Sequence, residues 1–131
     1  MIKEDHNVYS HENKNTYNTL ALREIAHARS GDKGNHANIG VIAYTEAGYR
    51  FLEQELTAAK VEQYFVGLDM ESAERFSLPL IFSFNFLLRK ALSGGASDSL
   101  KTDTQGKALA TALLEMTFPK PEHFLEMLPL H

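Results

Sequence analysis

The chain contains no cysteine. That excludes disulfides, a thiolate nucleophile and thiolate-bound zinc, and it suits a reducing compartment. No apolar run approaches the roughly 20 residues that a membrane-spanning helix needs, and the N-terminus is polar where a secretory signal would be apolar. The expectation is a cytoplasmic protein with no membrane partner. Positive charge is scarce as well. Thirteen Lys and Arg against 17 Asp and Glu leave a formal net charge of −4, the wrong balance for a surface that neutralises phosphates, so no nucleic-acid partner is expected. What is present, 131 residues with 44% hydrophobic content, suffices for one domain around a single core.

Chemistry-bearing residues concentrate in Ala28-Arg29-Ser30-Gly31-Asp32-Lys33-Gly34-Asn35-His36-Ala37-Asn38-Ile39-Gly40. Gly31, Gly34 and Gly40 can take positive φ without a Cβ penalty, so the stretch reads as a sharply turning binding loop that presents backbone N–H groups. Arg29 and Lys33 add two cations, which Asp32 and Asn38 can orient. With Ser30 alongside, the set predicts an anion pocket for a carboxylate, thioester or phosphate. The order Asp32-Lys33-Gly34 is not a Walker phosphate loop, and Gly31-x-x-Gly34 lacks the Gly-x-Gly turn of a dinucleotide site. The competing reading is a surface turn in which Asp32 and Lys33 merely pair.

Along the rest of the chain, residues 1–19 are polar and expected outside the core. His6 and His11 in that segment read as a solvated tail. Residues 20–28 suit either a helix or a strand, and Ile39 to Thr45 reads as a buried strand. Thr45 is expected to cap a helix reaching Leu56, and Thr57 a second with Val61, Tyr64 and Phe65 on its apolar face. Ala73 to Pro79 reads as a strand with Phe76 and Leu78 inward, Arg75 and Ser77 outward. From Leu80 to Leu92 the chain is expected to become helical, with Phe84, Leu87, Leu88 and Ala91 on one face. Asn85 and Arg89 then share a face at i, i+4, and both are candidates for the pocket. Ser93-Gly94-Gly95 ends that helix, residues 96–101 suit an edge strand, and Thr102 or Asp103 caps a last helix with Leu109, Ala112, Leu113 and Met116 as its stripe. Lys107, in the first turn of that helix, is a third candidate cation. Residues 118–131 show no lasting period and read as a tail, loose or docked on a partner.

The run from Ala28 to Gly34, then Ala37-Asn38-Ile39-Gly40-Val41, and later Asn85-Phe86-x-Leu88-x-x-Ala91-Leu92-x-Gly94-Gly95, Ser99-Leu100, Asp103-x-Gln105-Gly106-Lys107 and Leu113-Leu114, resembles the C-terminal ferredoxin-fold domain of the acyclic terpene utilisation (AtuA) family. The resemblance spans residues 20–117. It implies an α+β, ferredoxin-like sandwich with a mainly antiparallel sheet and helices on one face, and it favours strand for residues 20–28. That domain usually follows a much larger one, and the family is associated with breakdown of acyclic terpenoids. Asn35-His36 departs from the Asp-Thr common at this place, so the ligand can differ. The resemblance implies an accessory subunit or ligand-binding module for a small anionic or acyl compound, with a larger AtuA-like chain as a possible partner and no cofactor. A small sheet covered on one side also leads to an expectation of homo-oligomerisation. Two rival readings are a stand-alone lyase or hydratase with Asp32 or His36 as general base, and a purely structural oligomerisation domain. A metal site at His27, Asp32 and His36 and a Ser30, Asp32, His36 triad have weaker support, since sequence proximity supplies neither geometry.

Overall fold

The computed structural model describes residues 18–68, 70–91 and 107–130. Its strands are β1 (Thr19–Ala21), β2 (Ala26–Lys33), β3 (His36–Ala43), β4 (Ser72–Leu78), β5 (Ser83–Arg89) and β6 (Thr117–Pro119). The helices are α1 (Leu22–Ile25), α2 (Glu46–Glu55), α3 (Ala58–Tyr64) and α4 (Lys107–Leu113). β2, β3, β5 and β4 lie side by side in that order as one antiparallel sheet, and β1 pairs with β6 in a separate two-stranded ribbon. This is an α+β, ferredoxin-like arrangement. Among the described residues no helix is long and apolar enough to cross a membrane.

The period of two along the strands decides what faces what. One face of the sheet carries Ala26, Ala37, Ile39, Val41, Ala43, Phe84, Phe86 and Leu88, all buried. Against it pack Tyr49 and Leu52 of α2, Val61 of α3 and Leu109, Ala110 and Leu113 of α4. Tyr49 stacks on Phe84 with ring centroids 4.7 Å apart. The helices are set by local chemistry. Thr45 Oγ1 accepts the Gly48 N–H at 3.0 Å to start α2, and Thr57 Oγ1 accepts the Lys60 N–H at 3.1 Å to start α3, each satisfying a donor that a helix N-terminus leaves free.

Four expectations are corrected. The strand expected over residues 20–28 divides into β1, the helical turn α1 and the start of β2. The helix expected from Leu80 is the strand β5, entered through a 3-10 turn at Pro79–Ile81. Phe84, Phe86 and Leu88 satisfy a period of two as fully as Phe84, Leu87, Leu88 and Ala91 satisfy a helical one, and the aromatic residues fit a pleated, half-buried surface. On β4 the orientation is reversed. Phe76 and Leu78 are about half exposed, while Arg75 lies on the helix side and donates to the carbonyls of Glu53 and Leu56. The segment expected as a tail is tied down: Phe118 of β6 and Met127 are buried in the core. The helix stop at 93–95, the strand at 96–101 and the cap at Thr102 or Asp103 lie outside the described residues.

Candidate functional site

The stretch expected to be a loop is a hairpin. β2 and β3 pair from Ala26 opposite Ala43 to Lys33 opposite His36, which leaves Gly34 and Asn35 as a two-residue turn. Gly34 has φ +64°, and it is the glycine with positive φ among the described residues. A glycine of that kind at the first central position is what the right-handed strand twist favours in so short a turn. Gly31 and Gly40 do not turn the chain at all; both sit inside strands.

Alternation then sorts the candidate residues onto two faces. Ser30 and Asp32 lie on the helix side, where Ser30 Oγ accepts the Ala110 N–H of α4 at 3.1 Å. Arg29, Gly31, Asn38, Asn85 and Arg89 lie on the other face, which no helix crosses among the described residues. Lys33 closes the hairpin opposite His36. Lys107 begins α4, so its backbone is on the helix side, away from Arg29. The single pocket expected to unite Arg29, Ser30, Asp32 and Lys107 is therefore split by the sheet. Asp32 cannot orient Arg29, because residues three apart on a strand point to opposite faces.

On the open face, Arg29, Gly40, Asn85 and Phe76 are register neighbours across the four strands, and Gly31, Asn38, Leu87 and Glu74 form the next row. Gly31 and Gly40 are thus diagonal neighbours, and the backbone between Arg29, Asn38 and Asn85 is bare. Asn38 Nδ2 donates to Asn85 Oδ1 at 3.1 Å, the diagonal reach expected across adjacent strands. Among the described residues that bond leaves Asn38 Oδ1 and Asn85 Nδ2 as an adjacent acceptor and donor. Arg29 is exposed and makes no ion pair among the described residues. Arg89 is committed elsewhere: its guanidinium pairs with Glu74 through contacts of 3.2 and 3.3 Å. Apolar side chains border the patch. Ile42, Tyr44, Phe76 and Leu78 are each between about a third and a half exposed.

The glycines are not explained by packing. A Cβ on Gly31 would stand 3.6 Å from Asn38 Oδ1, and one on Gly40 3.9 Å from the Arg29 carbonyl, both ordinary contacts. Glycine inside a strand costs roughly 0.5–1 kcal/mol relative to alanine, and where neither φ nor crowding requires it, close approach of a ligand or another backbone is the usual reason. Sequence reasoning named these glycines but gave them the wrong job, because only the strand register shows that they share an open face. Phe76, Tyr44 and Ile42, which border this patch, are not among the residues the sequence suggests for a pocket; their exposure at strand period follows from the orientation of β4 and β3.

The other chemistries lose their geometry. His27 pairs with Ile42 and His36 with Lys33, six residues apart along β3, or about 20 Å, too far for one ion. Ser30 and His36 are on opposite faces. His36 Nδ1 accepts the Lys90 N–H at 2.9 Å. Among the described residues no three His, Asp or Glu side chains are placed to hold a metal ion.

No curated protein and no solved structure matches the chain. A family model does, that of the AtuA ferredoxin-like domain, over residues 20–119, which takes in the whole described four-stranded sheet and all of the β1–β6 ribbon except Thr19. With three quarters of its length matched and the sheet and helices in the expected arrangement, this chain belongs to the AtuA ferredoxin-like domain family.

Proposed function

We propose that the chain is a ligand-binding module whose site is the glycine-floored depression on the open sheet face, and that it takes an anionic acyl compound of the kind met in acyclic terpenoid breakdown. The observation that carries this reading is the juxtaposition of Gly31 and Gly40, unneeded by packing or φ, with the uncommitted Arg29. The Arg29 guanidinium offers paired N–H donors to a carboxylate. Asn38 Oδ1 and Asn85 Nδ2 offer an acceptor and a donor for a hydroxyl or carbonyl further along the molecule. Ile42, Phe76 and Leu78 offer apolar surface to a branched hydrocarbon chain.

The test is an NMR titration of the intact chain with an acyclic terpenoid carboxylate. Amide shifts should cluster at Gly31, Asn38, Gly40 and Asn85, and Arg29→Ala should weaken binding about tenfold by removing a charge-assisted pair. Shifts confined to other elements, or equal affinity in Arg29→Ala, would overturn the reading. The lyase or hydratase alternative is less well supported, since Asp32 faces the helices and His36 Nδ1 is occupied.

A second observation favours a subunit role. The β4–β5 connection exposes Leu78, Pro79, Leu80 and Ile81 together, with Leu80 96% exposed, around an apolar groove of about 370 Å³. Concentrated apolar surface of this sort is characteristic of protein contacts. The proposed partner there is a larger AtuA-like chain or a second copy. Light scattering separates them: a dimer that Leu80→Glu dissociates assigns the tip to self-association, whereas a monomer directs the search to co-purification with the larger chain.

A further inference from the structure

The residues of the open face follow one another across the sheet in a definite chemical order. β2 presents the cation Arg29 and the bare Gly31, β3 presents Asn38, β5 presents Asn85, and β4 presents Phe76 with Leu78 one step further on. Asn38 Oδ1 lies beside Gly31: a Cβ built on that glycine would stand 3.6 Å from it. Asn38 Nδ2 is spent on Asn85 Oδ1 at 3.1 Å. What the two side chains retain is therefore an acceptor on the β2 side, from Asn38, and a donor from Asn85. Crossing from β2 to β4, a ligand meets a cation, an acceptor, a donor and then apolar surface. Its own groups must run anion, donor, acceptor, hydrocarbon.

A hydroxy acid does not supply that order, because its hydroxyl is donor and acceptor at a single point. A secondary amide does. Its N–H and C=O point opposite ways in a planar trans unit. Asn38 and Asn85 stand diagonally, Asn38 in the row of Gly31 and Asn85 in the row of Arg29, so they flank a chain that crosses between the rows. Rows on one face are roughly 7 Å apart, room for an amide with a hydrogen bond of about 2.9 Å on either side. Resting on the open-face reading above, we infer that the ligand is an N-acyl amino acid, an acyl chain joined by an amide to a residue whose carboxylate is free. The carboxylate pairs with Arg29, the N–H donates to Asn38 Oδ1, the acyl carbonyl accepts from Asn85 Nδ2, and the hydrocarbon lies on Phe76 and Leu78. Arg29 and Asn85 are two strand spacings apart, roughly 10 Å, more than separates the two carbonyl groups of such a molecule. The Arg29 side chain closes the difference by reaching across Gly40, its neighbour on β3, which has no side chain to block it. Gly31 in turn leaves Asn38 Oδ1 uncovered. Both glycines thereby gain a use that neither φ nor packing supplies.

The test is calorimetric titration of the intact chain with N-decanoylglycine and with its ester isostere, O-decanoylglycolate, which keeps the carboxylate and the acyl carbonyl and puts oxygen in place of the N–H. The amide should bind about fivefold tighter than the ester, the scale of one hydrogen bond. Asn38→Ala should abolish that difference. Asn85→Ala should weaken both ligands alike, since the carbonyl is common to them, and Arg29→Ala should weaken both as well, each variant keeping the circular dichroism of the wild-type chain. With isotope-labelled glycine in the ligand, its amide proton should move downfield on binding the wild-type chain and not on binding Asn38→Ala. Equal affinity for amide and ester, both weakened by Arg29→Ala, would overturn the inference and leave the open-face reading standing. Binding indifferent to Arg29→Ala, or no binding at all, would overturn both. A last arm uses acetyl-leucyl-glycine, which shares the amide and the carboxylate but carries a second amide in place of the long hydrocarbon. Tighter binding of that peptide than of N-decanoylglycine would overturn the inference in favour of a protein C-terminus.

Discussion

Arg75 donates from a single nitrogen to the carbonyls of Glu53 and Leu56 at 2.9 and 2.8 Å, and its guanidinium carbon lies 5.0 Å above the Phe84 ring. α2 ends at Glu55, so these are carbonyls that a helix C-terminus leaves without partners, at the negative end of its dipole. One side chain thereby ties β4 to the helix layer through a hydrogen-bonded charge and a ring contact. Arg75→Met keeps the apolar stem and removes both bonds. It should lower stability by about 2 kcal/mol in urea unfolding, the scale of hydrogen bonds to a charged group. A change near zero would mean that water caps the helix equally well. Arg29, similar in chemistry and exposed on the other face, has no such partner among the described residues, and Arg29→Ala should leave stability unaltered within a few tenths of a kcal/mol.

At the scale of elements, the β2–β3 hairpin separates glycines by purpose. Gly34 needs its positive φ, although an added Cβ would meet nothing within 4 Å; Gly34→Ala should cost about 1 kcal/mol through backbone conformation alone. Gly31 and Gly40 need neither. Gly31→Ala and Gly40→Ala should each raise stability by roughly 0.5 kcal/mol while weakening ligand binding on the open face. A loss of stability in either would show that the register or packing requires glycine there. A different contact joins α3 to α4: the Tyr64 hydroxyl donates to the Ala112 carbonyl at 2.7 Å. Burial, then the nearby Glu115 charge, raise the Tyr64 pKa above its ordinary 10.0. Because the folded value is the higher one, this group's contribution is fully present below about pH 10 and disappears as pH rises through the folded pKa. The wild-type chain should therefore lose melting temperature faster than Tyr64→Phe between pH 9 and pH 11, both figures being about one unit either side of the ordinary tyrosine value. Parallel curves would remove Tyr64 from the account.

In the molecule as a whole, what was legible in the sequence follows one rule: features set by neighbours within a few residues could be read, and features set by distant pairing could not. Thr45 and Thr57 act on N–H groups three residues away, so both helix starts are local facts. β5 was hidden because Phe84 to Ala91 satisfies two periods at once, and only its pairing with Val41, Ile39 and Ala37 on β3 selects between them. Even so, Asn85 and Arg89 share a face, since a spacing of four is even on a strand as well as nearly one helical turn. Arg75 points inward because a helix end 19 to 22 residues earlier in the chain lacks a donor, and nothing adjacent to it announces that. The family motifs located the hairpin, but its division into two faces belongs to the register.

That division has a consequence for the molecule's energetics. The buried strand residues Ala26, Ala37, Ile39, Val41, Ala43, Phe84, Phe86 and Leu88 lie on the helix side, whereas the exposed Arg29 and the half-buried Gly31, Asn38, Gly40 and Asn85 lie on the open side, so binding there can be altered without cutting into the core. A ligand present at about 100 times its dissociation constant adds about 2.7 kcal/mol to the folded state by mass action, which for a domain of this size raises the melting temperature by roughly 10 °C. Gly40→Leu puts a side chain on the open face, where its Cβ would meet the Arg29 carbonyl at an ordinary 3.9 Å. It should melt within a few degrees of wild type when empty and show no rise when the terpenoid carboxylate is added, whereas Arg75→Met, altered on the helix side of the sheet, should keep the full rise. A shift that survives in Gly40→Leu would place the ligand elsewhere on the molecule. A Gly40→Leu chain that melts far below wild type when empty would show that the two faces are energetically coupled through the sheet.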